Sequence, residues 1–299
     1  MFRSYCLFGM SHLDSSSLLA NSDRRLQTVG NRRPMKRILS AIVLIPLAIL
    51  IVVYAPPVWF LVGVGLIGTA CLIEYFGLMR AMGIHVQPPF GHLAFWVLLI
   101  GFRQGRFPAG ILLAMIMTGA FLSCLWRRRT VRERALALMA EVLGIFYFAL
   151  FLYPAIPVRF DFGAEAGMQW ILLLLAVTWA GDTLALIAGK AFGKHKLAPV
   201  LSPKKTWEGA VAGLVGGVAV GMGLQPLLLA ALPMPHVIAA SALIGIFGQL
   251  GDLAESLLKR AAEIKDSSNL IPGHGGALDR MDSLLFAIPV LYFYLLQLQ

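Results

Sequence analysis

The sequence predicts an all-α, polytopic integral membrane protein of about nine transmembrane helices with a cytoplasmic N-terminus. Three observations carry this reading. Of 299 residues, 59% are hydrophobic and 13% charged, with a mean hydropathy of +0.79, whereas soluble domains carry about 25% charged residues. Apolar segments of membrane-spanning length follow one another from residue 38 onward. The loop cations also alternate in a way that only a fixed helix count explains. The same composition excludes a disordered chain and a collagen-like one. Cys6, Cys71 and Cys124 lie too far apart in sequence for a disulfide framework or a zinc site. A net charge of +10 would suggest nucleic acid in a soluble protein, but here it reads as basic loops held on the cytoplasmic side. No nucleic-acid partner is expected.

Residues 1–34 are polar, Ser-rich and Arg-rich, unable to bury a core, and read as a disordered tail. Met35 followed by Lys36 and Arg37 resembles a start, which makes the residues before it a dispensable extension; a basic segment lying on the membrane surface is the alternative. The apolar run near Ile38 continues without a small-residue cleavage site, so no secretory signal is expected. A window of about 19 residues, the length that crosses the hydrocarbon core as helix, finds spans near 38–54, 58–79, 91–102, 109–126, 135–154, 168–188, 209–231, 236–258 and 281–298. The third is the shortest. With these nine spans, 22 of the 25 Lys and Arg residues fall on the cytoplasmic side, leaving only Arg103, Arg106 and Arg159 outside. Residues 35–165 form an N-terminal group of helices. Residues 166–299 form the region expected to hold the chemistry, with cytoplasmic loops at 190–208 and 259–282.

Two nucleotide signatures are set aside. Gly63, Gly65 and Gly68 match G-x-G-x-x-G but sit inside an apolar span with no preceding strand, so they read as helix-packing glycines. The Gly189 to His195 stretch fails the P-loop spacing. Gly209, Gly213, Gly217 and Gly221 recur every four residues and predict close helix contact.

Carboxylates at membrane depth carry more information, because each costs several kcal/mol unless paired, metal-bound or wet. Glu141 reads as a solvated residue at a helix entry, and Glu74 as a snorkelling side chain or an ion pair with Arg80. Asp182 and Asp252 lie toward cytoplasmic helix ends, beside the chain's densest polar loops. The first loop gathers Lys194, Lys196, Lys204, Lys205 and Thr206 around prolines and Trp207, a set suited to phosphates or lipid headgroups. On the eighth span, Asp252, Glu255, Ser256 and Lys259 recur at i, i+3, i+4 and i+7 and share one face, with Arg260 alongside. Beyond the helix come Lys265, Asp266, Ser267, Ser268 and Asn269, then Pro272-Gly273-His274-Gly275-Gly276, a turn in which amides can approach an anion. Asp279, Arg280 and Asp282 open the last helix. Clustered carboxylates suit a hard ion such as Mg²⁺, and the neighbouring cations suit phosphates. Capping and ion pairing at two helix ends account for any one of these residues, but not for all of them on one face.

Ser256-Leu257-Leu258-Lys259-Arg260, Lys265-Asp266 and the run from Pro272 to Asp282 resemble the C-terminal signature of the phosphatidate cytidylyltransferases, the CDP-diacylglycerol synthases. The resemblance extends to Ser202-Pro203-Lys204-Lys205-Thr206-Trp207-Glu208-Gly209 and Trp179-Ala180-Gly181-Asp182. It departs at Ser268, where the family has glycine, and at Leu184 to Leu186. It implies a membrane enzyme that joins CTP and phosphatidic acid into CDP-diacylglycerol and pyrophosphate in phospholipid biosynthesis, with Mg²⁺ and room for a second cation. The bacterial cytoplasmic membrane is the implied location, with the site on its inner side. On this resemblance Asp252 and Asp279 are the metal ligands, supported by Asp182, Asp266 and Asp282. Lys204, Lys205, Lys259, Arg260, Lys265 and Arg280 hold the triphosphate and lipid phosphate, and His274 donates to a phosphate oxygen or to departing pyrophosphate, with a structural histidine in a tight glycine turn as the alternative. Ser202, Thr206, Ser256, Gly275 and Gly276 complete the nucleotide contacts. The glycine faces leave room for a homodimer. Two rival readings are a CTP-dependent lipid-alcohol kinase and a lipid or ion transporter, whose carboxylates belong near the midplane without clustered lysines at one surface. A phosphatidyltransferase acting on CDP-lipid is disfavoured, because no Asp-Gly pair is present.

Overall fold

The computed structural model describes residues 42–126, 128–265, 267–268 and 275–298. The proposed tail, the Met35 start, Asp266 and His274 lie outside the described residues. The chain runs α1 (Ile42–Tyr54), α2 (Pro57–Ala81), α3 (Pro88–Gln104), α4 (Ala109–Leu125), α5 (Val131–Leu152), the short α6 (Ala155–Phe160) and α7 (Ala164–Phe192). A hairpin of β1 (Lys196–Ala198) and β2 (Ser202–Thr206) follows, then α8 (Trp207–Leu228), α9 (Met234–Ala261) and α10 (Leu278–Leu296). Each apolar segment read from the sequence overlaps a helix. Among the described residues, five helical stretches are long and apolar enough to cross a bilayer: Pro57–Ala81, Val131–Phe160, Ala164–Phe192, Trp207–Leu228 and Met234–Ala261. With its apolar side chains turned outward along these helices, the chain is an integral membrane protein.

The helix starts follow local chemistry. Proline at the first helical positions opens α2, α3 and α9, where a missing N–H costs nothing. Thr130 and Glu133 form a capping box on α5, with Thr130 N donating to Glu133 Oε2 at 2.9 Å. That start at Val131 corrects the reading of Glu141. The residue lies nearly three turns inside α5 and is fully buried, because the helix begins among the arginines rather than after them.

The glycine readings hold at every position but Gly63, where a Cβ would meet only Ile51, 4.0 Å away. Trp96 and Phe95 of α3 lie over Gly65 and Gly68 of α2, where a Cβ would strike their rings. In the C-terminal half, Gly209, Gly213, Gly217 and Gly221 are all buried on α8. A Cβ on Gly213 would come within 2.8 Å of both Ala185 Cβ and Gly181 O, and one on Gly217 within 3.2 Å of Val177. The two helices therefore touch along Val177, Gly181, Ala185 and Gly189, the most extensive helix contact among the described residues. Leu184, one of the departures from the family pattern, packs on Gly216.

The hairpin is the one non-helical element among the described residues. Its strands are antiparallel, pairing Lys196 with Thr206 and Ala198 with Ser202. Trp207 N donates to His195 O at 2.9 Å and the His195 ring meets Glu208 Oε1 at 2.7 Å, closing its base. Arg260 Nε donates to Leu201 O at 3.1 Å, fastening the tip to the end of α9.

Helix α10 joins the two halves, packing against α9 and α7 on one side and α5, α6 and α2 on the other. The core beneath it holds Leu72, Tyr75, Phe76, Phe95 and Phe148, all but fully buried. At the opposite end from the hairpin, Arg159 is buried and donates to Val52 O at 2.7 Å, Val53 O at 3.3 Å and Ala164 O at 2.9 Å. It satisfies carbonyls left open at the end of α1. Nearby, Arg103 grips Asp161 through two contacts at 2.9 and 3.1 Å.

Candidate active site

Ligand-capable atoms of Asp252, Glu255 and Asp282 lie within 4.8 Å of one another. The i, i+3 spacing on α9 brings the first two together, and the α9 and α10 contact adds the third. A Cβ on Gly251 would collide with the backbone carbonyl of Asp282, so glycine there lets the two helices close on the carboxylates. Asp252 stands nine residues before the end of α9, roughly 14 Å along the axis at 1.5 Å per residue. The cluster is thus recessed below the polar loops.

Two lysines meet it. Lys205, at the end of the hairpin, places Nζ 2.5 Å from Asp252 Oδ2. Lys259, four residues along α9, lies 2.5 Å from Glu255 Oε2 and 2.6 Å from Asp279 Oδ1. Asp182 of α7 is exposed and lies within the fields of Asp252, Lys205 and Arg280.

The donor set fits a hard divalent cation. Glu255 is 1% exposed, and its Oε1 has no hydrogen-bond partner among the described residues. A buried carboxylate oxygen left open is costly, and a divalent cation held by Asp252, Glu255 and Asp282 would offset that cost with oxygen ligands of the type Mg²⁺ prefers.

The remaining expected residues divide by position. Asp279, read as a metal ligand, stands outside the group of three. Its Oδ2 accepts from Ser267 N at 3.1 Å, Ser267 Oγ at 2.8 Å and Gly276 N at 2.8 Å, while Oδ1 takes Lys259. Gly275 is left-handed at φ +81°, a conformation that favours glycine, and this turns the chain into α10. Thr206 is buried and accepts from Gly209 N at 3.2 Å, so it caps α8. Ser256 is buried within α9, Ser202 is half-buried on β2, and Lys204, Lys265 and Arg280 are exposed. Arg260 is held by carbonyls of Leu201 and Ile264.

Two residues carry more than the sequence reading gave them. The sequence reading groups Glu255 with its neighbours without naming it a ligand, although its i, i+3 relation to Asp252 points to that role. Glu74 does not pair with Arg80. Its carboxylate accepts from Ser267 Oγ, Ser268 Oγ, Ala277 N and Leu278 N at 2.6 to 2.9 Å, and nothing in local spacing points to partners about 200 residues away.

Fold and site together define a helical membrane protein with a recessed carboxylate cluster, neutralised by lysines from a hairpin and a helix. A profile of the cytidylyltransferase family matches residues 35–298. The chain is 34% identical over 235 residues to a phosphatidate cytidylyltransferase of Bacillus subtilis, covering 76% of this chain and 85% of that one. It is 42% identical over 132 residues to the phosphatidate cytidylyltransferase of Staphylococcus saprophyticus, and 43% over 132 residues to that of Staphylococcus haemolyticus. Those two matches cover 44% of this chain and 51% of each relative. The chain belongs to the cytidylyltransferase family.

Proposed function

We propose that the protein transfers the cytidylyl group of CTP to phosphatidic acid, giving CDP-diacylglycerol and pyrophosphate. The observation that carries this reading is the convergence of Asp252, Glu255 and Asp282 within 4.8 Å, with Lys205 and Lys259 at 2.5 Å from two of them. A phosphate oxygen of the lipid attacks the α-phosphorus of CTP. A new P–O bond forms as the bond to the β-phosphate oxygen breaks, and pyrophosphate leaves with the electron pair. The attacking group is an anion, so no side chain has to remove a proton. What the protein must supply is alignment and neutralisation of crowded phosphates.

Asp252, Glu255 and Asp282 would hold Mg²⁺, with Asp182 and Asp279 at the margin. Bound there, the ion supplies charge neutralisation at the transferring and departing phosphates. Lys205, Lys259 and Arg280 orient the triphosphate and lipid phosphate, and Lys204, Arg260 and Lys265 draw both anions to the mouth. The family resemblance adds Asp266 and His274 to this set.

The nine-span arrangement, with the N-terminus and the site on the cytoplasmic side of a bacterial inner membrane, follows from the split of loop cations. The contacts of Arg103 and Arg159 support it, since both tie together helix ends assigned to the opposite side. Residues 166–299 then form the catalytic region and 35–165 a scaffold against which it packs.

The reading is tested with detergent-purified protein, labelled CTP and phosphatidic acid, with and without Mg²⁺. Formation of CDP-lipid with equimolar pyrophosphate is expected. Release of CDP instead would identify a lipid-alcohol kinase, and the absence of nucleotide turnover would favour a transporter.

A further inference from the structure

We infer that Glu74, contributed by α2 of the N-terminal half, is a positioning residue for the reaction: it clamps the start of α10 to the segment that follows α9. The helix supplies no cap of its own, because Ala277 at its N-cap position has no side-chain hydrogen bond to give. Glu74 takes that place from across the molecule. Its Oε1 accepts from Ala277 N at 2.9 Å and Ser268 Oγ at 2.6 Å, and its Oε2 from Leu278 N at 2.8 Å and Ser267 Oγ at 2.8 Å. A negative charge on open N–H groups at a helix start is favourable both as a cap and against the helix dipole.

The consequence reaches the site because of what α10 carries next. Asp279, Arg280 and Asp282 stand within its first two turns, so the position of α10 relative to α9 sets where Asp282 meets Asp252 and Glu255. Ser267 Oγ lies 2.8 Å from both Glu74 Oε2 and Asp279 Oδ2. The two carboxylates therefore share one hydroxyl, whose single proton is donated to one of them at a time. Gly276 fills the remaining space: a Cβ there would strike Glu74 Oε2 and Ser267 Oγ. Glu74 itself is 5% exposed, and it is some distance in sequence from every residue assigned to phosphate or metal. It acts through α10 rather than on substrate.

This inference rests on the proposed cytidylyl transfer for its effect on rate, so the test pairs turnover with a readout that needs no reaction. Glu74→Gln keeps the side-chain volume but turns one carboxylate oxygen into an amide that faces donors. Turnover is expected to fall on the order of 10- to 100-fold, the rate equivalent of one lost charge-assisted hydrogen bond, with KM for CTP changed by less than about threefold if binding is untouched. In parallel, hydrogen exchange of the purified protein without substrate should accelerate in peptides spanning 275–282 while peptides of α3 and α5 keep the wild-type rate. Unchanged turnover with unchanged local exchange overturns the clamp, as does acceleration spread equally over α3 and α5. If Glu74→Gln does not fold, Ser268→Ala decides by the same exchange measurement: local acceleration supports the clamp and none overturns it. A wild-type protein that forms no CDP-lipid, beside a variant with local acceleration, removes the proposed reaction and leaves the clamp standing.

Discussion

Lys205 and Asp252 meet at 2.5 Å, joining the last residues of a polar hairpin to a carboxylate more than two turns inside a membrane helix. The hairpin is held for this by contacts on either side of it. Thr206 caps α8 directly after Lys205, and Arg260 binds the tip carbonyl of Leu201. One lysine thus reaches down into the recess from a short stiff element, while Lys259 reaches it along α9 itself. Positive charge arrives at the cluster from two independent directions, which suits a site that must gather several phosphates.

The metal assignment separates two kinds of carboxylate. Asp252→Asn, Glu255→Gln and Asp282→Asn each remove an oxygen from the group of three. Each should lower turnover by several powers of ten and raise the Mg²⁺ concentration needed for half-activity. Asp279→Asn instead removes the charge that pairs with Lys259 and weakens the acceptor of Ser267 and Gly276. It should lower turnover while leaving the Mg²⁺ midpoint within about twofold of wild type, since its ligands in this structure are protein donors. Mg²⁺ titrations of the four variants check this, and an Asp279→Asn midpoint shifted as far as that of Asp252→Asn would return Asp279 to the metal.

Much of this was legible in the sequence, and the gaps have physical causes. Apolar character and length located the helices because lipid imposes one solution on a spanning backbone. The four-residue glycine repeat named the contact face of α8 in advance. Asp252 with Glu255 followed from helical spacing. Asp282 joining them did not, because it depends on how α9 and α10 cross at Gly251. The hairpin was hidden by Pro203 and by lysines that show no apolar alternation for a strand signal to rest on. Glu141 was misplaced by reading its arginine neighbours as the approach to a helix that had already begun. Glu74 was out of reach for a different reason: its donors come from a loop about 200 residues away, and local pattern carries no record of such a partner.

Arg159 provides a test of stability apart from chemistry. It is 6% exposed and donates to three backbone carbonyls, two of them at the end of α1. Arg159→Leu leaves those carbonyls open, a loss of about 1.5–3 kcal/mol for a charged hydrogen-bonding group. The thermal midpoint of the detergent-solubilised protein should fall by several degrees, with the Mg²⁺ midpoint unchanged. A variant as stable as wild type would show that Arg159 is not what fastens α1.

Topology can be checked with single cysteines in a background where Cys6, Cys71 and Cys124 are replaced. Val200 is 85% exposed at the hairpin tip and Val131 is 82% exposed at the start of α5, while Phe107, between α3 and α4, is 57% exposed. Cysteines at 200 and 131 should react with an impermeant thiol reagent only from the cytoplasmic side, and a cysteine at 107 only from the other. Labelling of positions 200 and 107 from the same side would overturn the nine-span arrangement.

The last prediction separates a mechanism built on cations from one built on a proton-transferring base. The lipid phosphate attacks as an anion, so the groups that matter most are those that neutralise and align phosphates, Lys205 and Lys259. Lys205→Met and Lys259→Met each remove a cation from a recessed site and leave a carboxylate without its partner, Asp252 in one case and Glu255 in the other. Truncating one partner of such a pair costs on the order of 2–5 kcal/mol, about 30- to several-thousand-fold in rate. His274→Ala removes at most a hydrogen bond, about 1–3 kcal/mol, and should be the mildest of the three. Pyrophosphate release by the wild type and the three variants, measured over a pH series, distinguishes the cases. The lysine variants should lose the most. A His274→Ala variant more damaged than either of them, with a wild-type rate that follows one ionisation near pH 6.5, the ordinary histidine value, would show that the reaction does use a base.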